Sequence, residues 1–143
     1  MKTDPANQKC FETGEPSPQW ASVNNGILLS LNTSGVHRGL GVQTSLVRSL
    51  SLDMWTEKQL KTLSQGGNAK LAEFFDKYDL RSVKDLKVRY STKAAVYYRK
   101  RNAALAMGQA FEEEPPSYEE GRCSSVDGKS IDGDIKAEKS ESD

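Results

Sequence analysis

Histidine and cysteine are scarce in this 143-residue chain: His37, Cys10 and Cys123 are all there is. Two thiols cannot build a disulfide framework, and so small a number points to a reducing compartment. Cys10, His37 and Cys123 together still fall short of a self-contained zinc site. Long apolar runs are missing too. No stretch approaches the ~20 residues of a membrane span, and Met1-Lys2-Thr3-Asp4-Pro5 lacks the apolar core of a signal peptide. With 36% hydrophobic and 28% charged residues, the chain is polar for a compact domain, which predicts that part of it lies outside any core.

A net charge of zero hides a division. Residues 1–111 hold 16 Lys and Arg against 9 Asp and Glu, or +7; residues 112–143 hold 4 against 11, or −7. The acidic stretch opens Glu112-Glu113-Glu114-Pro115-Pro116 and has few apolar side chains. Residues 113–143 therefore read as a disordered acidic tail. Residues 1–8 read as a flexible lead-in, which leaves 9–112 as the folded domain.

Inside that domain the patterning is α+β, with a small three-stranded sheet flanked by about five helices. Trp20 to Val23 fits a strand, Asn24-Asn25-Gly26 a hairpin turn, and Gly26 to Leu29 a buried return strand. Arg48 to Asp53, with Leu50 and Leu52 on one face, fits a third. Thr56-Glu57-Lys58-Gln59 is a capping box opening a helix that Gly66-Gly67 stops. Asn68 is expected to cap the next helix, whose Leu71, Phe74, Phe75 and Tyr78 share a face. Ser82 is expected to start a short helix through Leu86, and Ser91 to cap a longer one over roughly 92–108.

The most informative residues run from Cys10 to Trp55. Ser34-Gly35-Val36-His37-Arg38-Gly39-Leu40-Gly41 is followed by Val47-Arg48-Ser49, then Asp53 and Trp55, and later by Gly67-Asn68. In order and spacing these resemble the catalytic domain of the Arf GTPase-activating proteins. The resemblance implies an activator of an Arf-family small GTPase in its GTP form, acting in vesicle trafficking in the cytoplasm, transiently at Golgi or endosomal membranes. It implies that Arg38 is the arginine finger and that Trp20, His37, Arg48, Asp53 and Asn68 bind the GTPase or support the site. A guanidinium suits that work because it stays charged and forks onto phosphate oxygens as charge builds in the transition state. The residues also admit plainer roles: His37 as a helix residue held by a hydrogen bond, and Trp20 and Trp55 as core aromatics.

One departure stands out. The family carries four cysteines spaced two, sixteen and two residues apart. The same spacing here holds Cys10, Thr13, Ser30 and Thr33. A hydroxyl stays protonated near neutrality, whereas zinc binds thiolate, so the family's structural zinc is expected to be lost and no cofactor is expected. Phe11, Leu28, Leu29 and Leu31, with hydrogen bonds among Thr13, Ser30, Asn32 and Thr33, would then have to hold the loop. This favours a second reading, a non-catalytic module that binds a GTPase or a WW-domain protein without accelerating hydrolysis.

Outside the domain, Pro115-Pro116-Ser117-Tyr118 is a Pro-Pro-x-Tyr sequence of the kind WW domains bind. Gly128-Lys129-Ser130 ends like a phosphate-binding loop but has Cys123 where the first glycine belongs. Arg99-Lys100-Arg101 beside Tyr97-Tyr98 fits a solvated helix face; peripheral membrane association is a weaker reading, and dispersed basic residues argue against nucleic acid.

Overall fold

The computed structural model describes residues 4–132. Three short strands, β1 (Trp20–Ser22), β2 (Ile27–Leu29) and β3 (Val47–Ser49), form an antiparallel sheet in the order β2-β1-β3. Trp20 pairs with Leu29 on one side and with Ser49 on the other. The β1–β2 turn closes through the Gly26 amide on the Val23 carbonyl, with Gly26 at φ 66°. Helix α1 (Leu31–Arg38) lies between β2 and β3. After the sheet come α2 (Glu57–Gln65), α3 (Asn68–Asp76), α4 (Leu86–Tyr90), α5 (Lys93–Ala106) and α6 (Tyr118–Gly121).

Each face of the sheet is covered. Ile27 and Leu29 pack with Leu71, Phe75, Tyr90 and Tyr98 from the helical half, while Ala21 and Leu28 pack with Leu63 of α2 and with Leu50 and Trp55. This odd–even division follows from the two-residue repeat of a strand. The Thr56–Gln59 capping box forms as expected.

Several boundaries differ from the expected ones. The third strand ends at Ser49, not Asp53. The Asp53 carboxylate accepts the Ser49 amide at 2.6 Å, and the Ser49 hydroxyl accepts the amides of Ser51 and Leu52, so the chain turns and leaves Leu52 80% exposed. The short helix begins at Leu86, because the Asp85 carboxylate caps Lys87 and Val88. Thr92 rather than Ser91 caps α5. Asn68 sits inside the first turn of α3, behind Gly67.

The two chain ends also depart from expectation where they are described. Residues Pro5–Gln8 form a 3-10 turn, and Asn7 is buried, accepting the Asn68 amide at 2.9 Å. Residues 113–132 form a strap along the helical half. Arg122, 8% exposed, donates to the carbonyls of Tyr78 and Asp79 and forks onto Asp132. The Lys93 amide donates to the Cys123 carbonyl, and the Ser125 amide to the Ser91 carbonyl. Few apolar side chains are needed: backbone pairing, one sequestered guanidinium and the ion pairs Lys93–Glu120 and Lys100–Glu113 hold the acidic segment to a basic body. Positions 1–3 and 133–143 lie outside the described residues.

One backbone contact ties the sheet to the helices. The Gly67 amide donates to the Gly26 carbonyl at 2.7 Å, and a Cβ on Gly66 would lie 2.7 Å from both the Cα and the oxygen of Gly26. Only backbone could yield there. Gly66→Ala is therefore expected to cost about 1–3 kcal/mol, the usual range for overpacking, read as a lower urea midpoint with unchanged slope.

Candidate functional site

Arg38 is the last residue of α1 and is exposed. Its guanidinium carbon lies 5.4 Å from the centre of the Trp20 ring, a cation–π brace that holds the side chain over the end of the sheet. The register explains what else gathers there. Trp20 opens β1 opposite Leu29 and Ser49, the last residues of β2 and β3. The chain leaving β2 reaches Leu31, and the chain leaving β3 reaches Leu52 and Met54. These are 66%, 80% and 93% exposed. The sheet end at Trp20 thus leads into three exposed apolar side chains, a composition suited to docking a protein.

A buried polar chain fixes the helix that carries Arg38. His37 is fully buried; its Nε2 contacts the Glu12 carboxylate at 2.9 Å and its Nδ1 the Ser45 hydroxyl at 2.8 Å. Ser45 meets the Ser22 hydroxyl at 2.6 Å, and Asn25 donates to Ser22. With the ring proton on Nε2, every link has one donor and one acceptor. Glu12 also accepts the Tyr90 hydroxyl at 2.6 Å and the Arg89 guanidinium at 2.5 Å. Ser45, His37 and Glu12 are sequestered among packed side chains, so the trio serves to hold α1 and not to attack a substrate. His37 thus takes the plainer role the sequence allowed.

The remaining expected site residues fall into two groups. Asp53 and Arg48 stay at the Trp20 end or on β3, Asp53 ordering the turn after the strand and Arg48 donating to the Val47 carbonyl. Asn68 is drawn away from any surface. It is buried, accepting the Leu28 amide and donating to the carbonyls of Ala6 and Lys9, so it joins the N-terminal segment to β2 and α3. Glu12, Ser45, Arg89 and Tyr90 were missed in the sequence. A lone carboxylate between Phe11 and Thr13 is the one available signal, and it does not name partners some 77 residues away.

A family profile described as "Putative GTPase activating protein for Arf" matches residues 1–106. The chain belongs to the ArfGap family. It is 37% identical over 108 residues to the ADP-ribosylation factor GTPase-activating protein GCS1 of Saccharomyces cerevisiae, covering 76% of this chain and 31% of that one. It is 39% identical over 107 residues to ADP-ribosylation factor GTPase-activating protein 3 of Bos taurus, covering 74% and 20%. The chain thus spans less than a third of the length of either relative. Among solved structures it is similar to the "putative GTPase activating protein for ADP ribosylation factor" of Cryptosporidium parvum, with TM-score 0.55 and 27% identity over 75% of this chain and 82% of that one.

The family's zinc position can be tested on the residues that occupy it. The Cys10 thiol lies 3.5 Å from the Thr33 hydroxyl, to which Ser30 donates at 3.0 Å. Ser30 also caps α1 by accepting the Thr33 amide. Thr13 is exposed, and its hydroxyl also bonds Glu15, and Asn32 is exposed. Burial pushes the Cys10 thiol up, but bonds from the Thr13 and Thr33 hydroxyls and the Ser30 and Thr13 backbone outweigh it and leave the thiol below its ordinary value. One thiol and three hydroxyls do not fit zinc. Among the described residues, no group of three or more His, Cys, Asp or Glu could hold a metal ion. A chelator is expected to leave the melting curve unchanged. Restoring Thr13→Cys, Ser30→Cys and Thr33→Cys together should yield a variant that retains about one zinc per chain in elemental analysis.

Glu12 makes stability pH-dependent. Burial alone would raise its pKa, but hydrogen bonds from His37 and Tyr90 and the charge of Arg89 outweigh burial and hold it below the ordinary 4.5. The unfolded chain then binds the proton first. The contribution is complete above about 4.5 and is lost as pH falls through the lower folded value. Melts between pH 7 and pH 3 should show this loss. Glu12→Gln should lack that component and be destabilised at pH 7 by about 3 kcal/mol or more, since it leaves Arg89 buried without its partner.

Proposed function

We propose that this chain is an Arf GTPase-activating domain in which Arg38 supplies the finger. What supports the reading most directly is the placement of Arg38: an exposed guanidinium braced on Trp20, on a helix locked from behind by His37. In this reading the GTPase contributes GTP, magnesium and the attacking water. Leu31, Leu52 and Met54 dock against it, and Asp53 and Arg48 keep the rim in shape. The guanidinium then meets charge that develops on the transferring phosphoryl group, so its gain is made in the transition state and not in binding. A pre-set side chain loses less freedom on docking, which is the use of the Trp20 brace.

On this reading the domain works in the cytoplasm, transiently at the Golgi or endosomal membranes where Arf-type GTPases in their GTP form would be met. Among the described residues, no helix is long and apolar enough to cross a membrane. The non-catalytic module stays as the alternative because three zinc ligands are replaced. The described fold weakens that motive: α1 and the Cys10 loop are joined by hydrogen bonds that need no metal.

Single-turnover hydrolysis with GTP-loaded Arf decides between them. Wild type is expected to accelerate hydrolysis by orders of magnitude. Arg38→Lys keeps the charge but loses the planar fork, and should remove most of that gain, about 10³-fold or more, with a much smaller change in affinity. Binding without acceleration by wild type would favour the module; full activity in Arg38→Lys would overturn the finger.

A further inference from the structure

A second recognition element lies on the helical half. Phe74 of α3 and Tyr97 of α5 stack with ring centres 6.0 Å apart at 14°, and Tyr78 meets Phe74 at 5.2 Å. With Lys77 and Arg101 on the rim they line an open groove of about 350 Å³ that Pro115 bounds at one end. The proline segment is read through its backbone: the Tyr78 hydroxyl donates to the Pro116 carbonyl at 2.6 Å, and Tyr97 to the Glu113 carbonyl at 3.2 Å. That is how aromatic surfaces recognise polyproline, whose extended backbone makes no internal hydrogen bonds and leaves its carbonyls free to accept. The tyrosine of the motif is held as well. The Tyr118 hydroxyl donates to Asp79 at 2.8 Å, and the Arg122 guanidinium carbon lies 5.7 Å from its ring centre. Pro115 and Tyr118 remain exposed, so the motif is at the surface but engaged.

We propose that Pro115–Tyr118 is a WW-domain binding site that the protein keeps latched: the α3–α5 aromatic face holds the motif as an intramolecular ligand, and a WW domain gains it only when residues 113–125 lift away. This rests on reading Pro-Pro-Ser-Tyr as a WW ligand and is independent of the activity at Arg38. A WW groove needs the motif's backbone carbonyls and its tyrosine, and here Tyr78 already holds the Pro116 carbonyl while Asp79 and Arg122 hold the Tyr118 hydroxyl and ring. A binding site that is open in only a fraction of molecules has its affinity reduced by that fraction. An open population of ~1–10% makes the chain about 10- to 100-fold weaker than the free motif.

Gly121 provides the key to the latch. It packs flat on Tyr78, and an added Cβ would collide with that ring, which is itself wedged against Phe74. The test compares three ligands for one recombinant WW domain of the Pro-Pro-x-Tyr class by calorimetry: a peptide of residues 112–122, the full chain, and the full chain with Gly121→Ala. The peptide should bind, the full chain about tenfold or more weaker, and Gly121→Ala should approach the peptide. Amide exchange on the full chain supplies a second readout. The Lys93 and Ser125 amides, bonded across the strap, should be protected in wild type and lose protection in Gly121→Ala. Tyr118→Ala should abolish WW binding in both peptide and chain. A wild-type chain as tight as the peptide overturns the latch alone. So does a Gly121→Ala chain that loses amide protection without gaining affinity. A peptide that does not bind overturns the WW reading, and the proposal with it.

Discussion

A single buried carboxylate joins the two halves of this protein. Glu12, on the loop after the 3-10 turn, meets His37 of α1 and both Arg89 and Tyr90 of α4. Removing a carboxylate from water costs several kcal/mol unless hydrogen bonds and an opposite charge replace the lost solvation. Here its two oxygens are taken up by an imidazole, a phenol and a guanidinium. The consequence is mutual dependence. α4 cannot shift without stranding a charge, and neither can α1, whose last residue is Arg38.

The replacement of three thiols by hydroxyls becomes intelligible beside this network. In a metal-centred loop the ion sets the geometry. Here Ser30 has become the cap of α1, and Thr33 joins that cap to Cys10. The Cys10 loop and α1 are thus linked twice, by the hydroxyl cluster at the start of the helix and by His37–Glu12 near its end. Neutral hydrogen bonds are each worth about 1 kcal/mol net, far below a bound metal. The loop relies in addition on Phe11 against Phe75 and on the Asn68 bonds to the N-terminal segment.

The molecule carries two chemically distinct surfaces. The Trp20 end of the sheet pairs a single arginine with exposed leucine and methionine. The α3–α5 face pairs stacked aromatics with lysine and arginine, and part of it is covered by the chain itself. Part of the charge asymmetry acts within the molecule, because Glu120 and Glu113 of the strap meet Lys93 and Lys100 of α5.

Local signals determined much of this in advance. The capping box, the hairpin turn at Asn24-Asn25-Gly26 and the apolar spacing of α3 depend on residues a few positions apart, and all were legible. The family and the replaced zinc ligands were legible too, since motif and spacing are linear properties. Tertiary structure decided what distant residues do together. Asn68 reads as a cap by local chemistry, but the Leu28 amide and the carbonyls of Ala6 and Lys9 need it more. Residues 113–132 read as disordered by composition, because apolar content measures only one source of stability and says nothing of the buried Arg122 fork. Glu12 reads as an ordinary charge until folding brings His37, Arg89 and Tyr90 around it, because no pattern within the loop encodes partners contributed by α1 and α4.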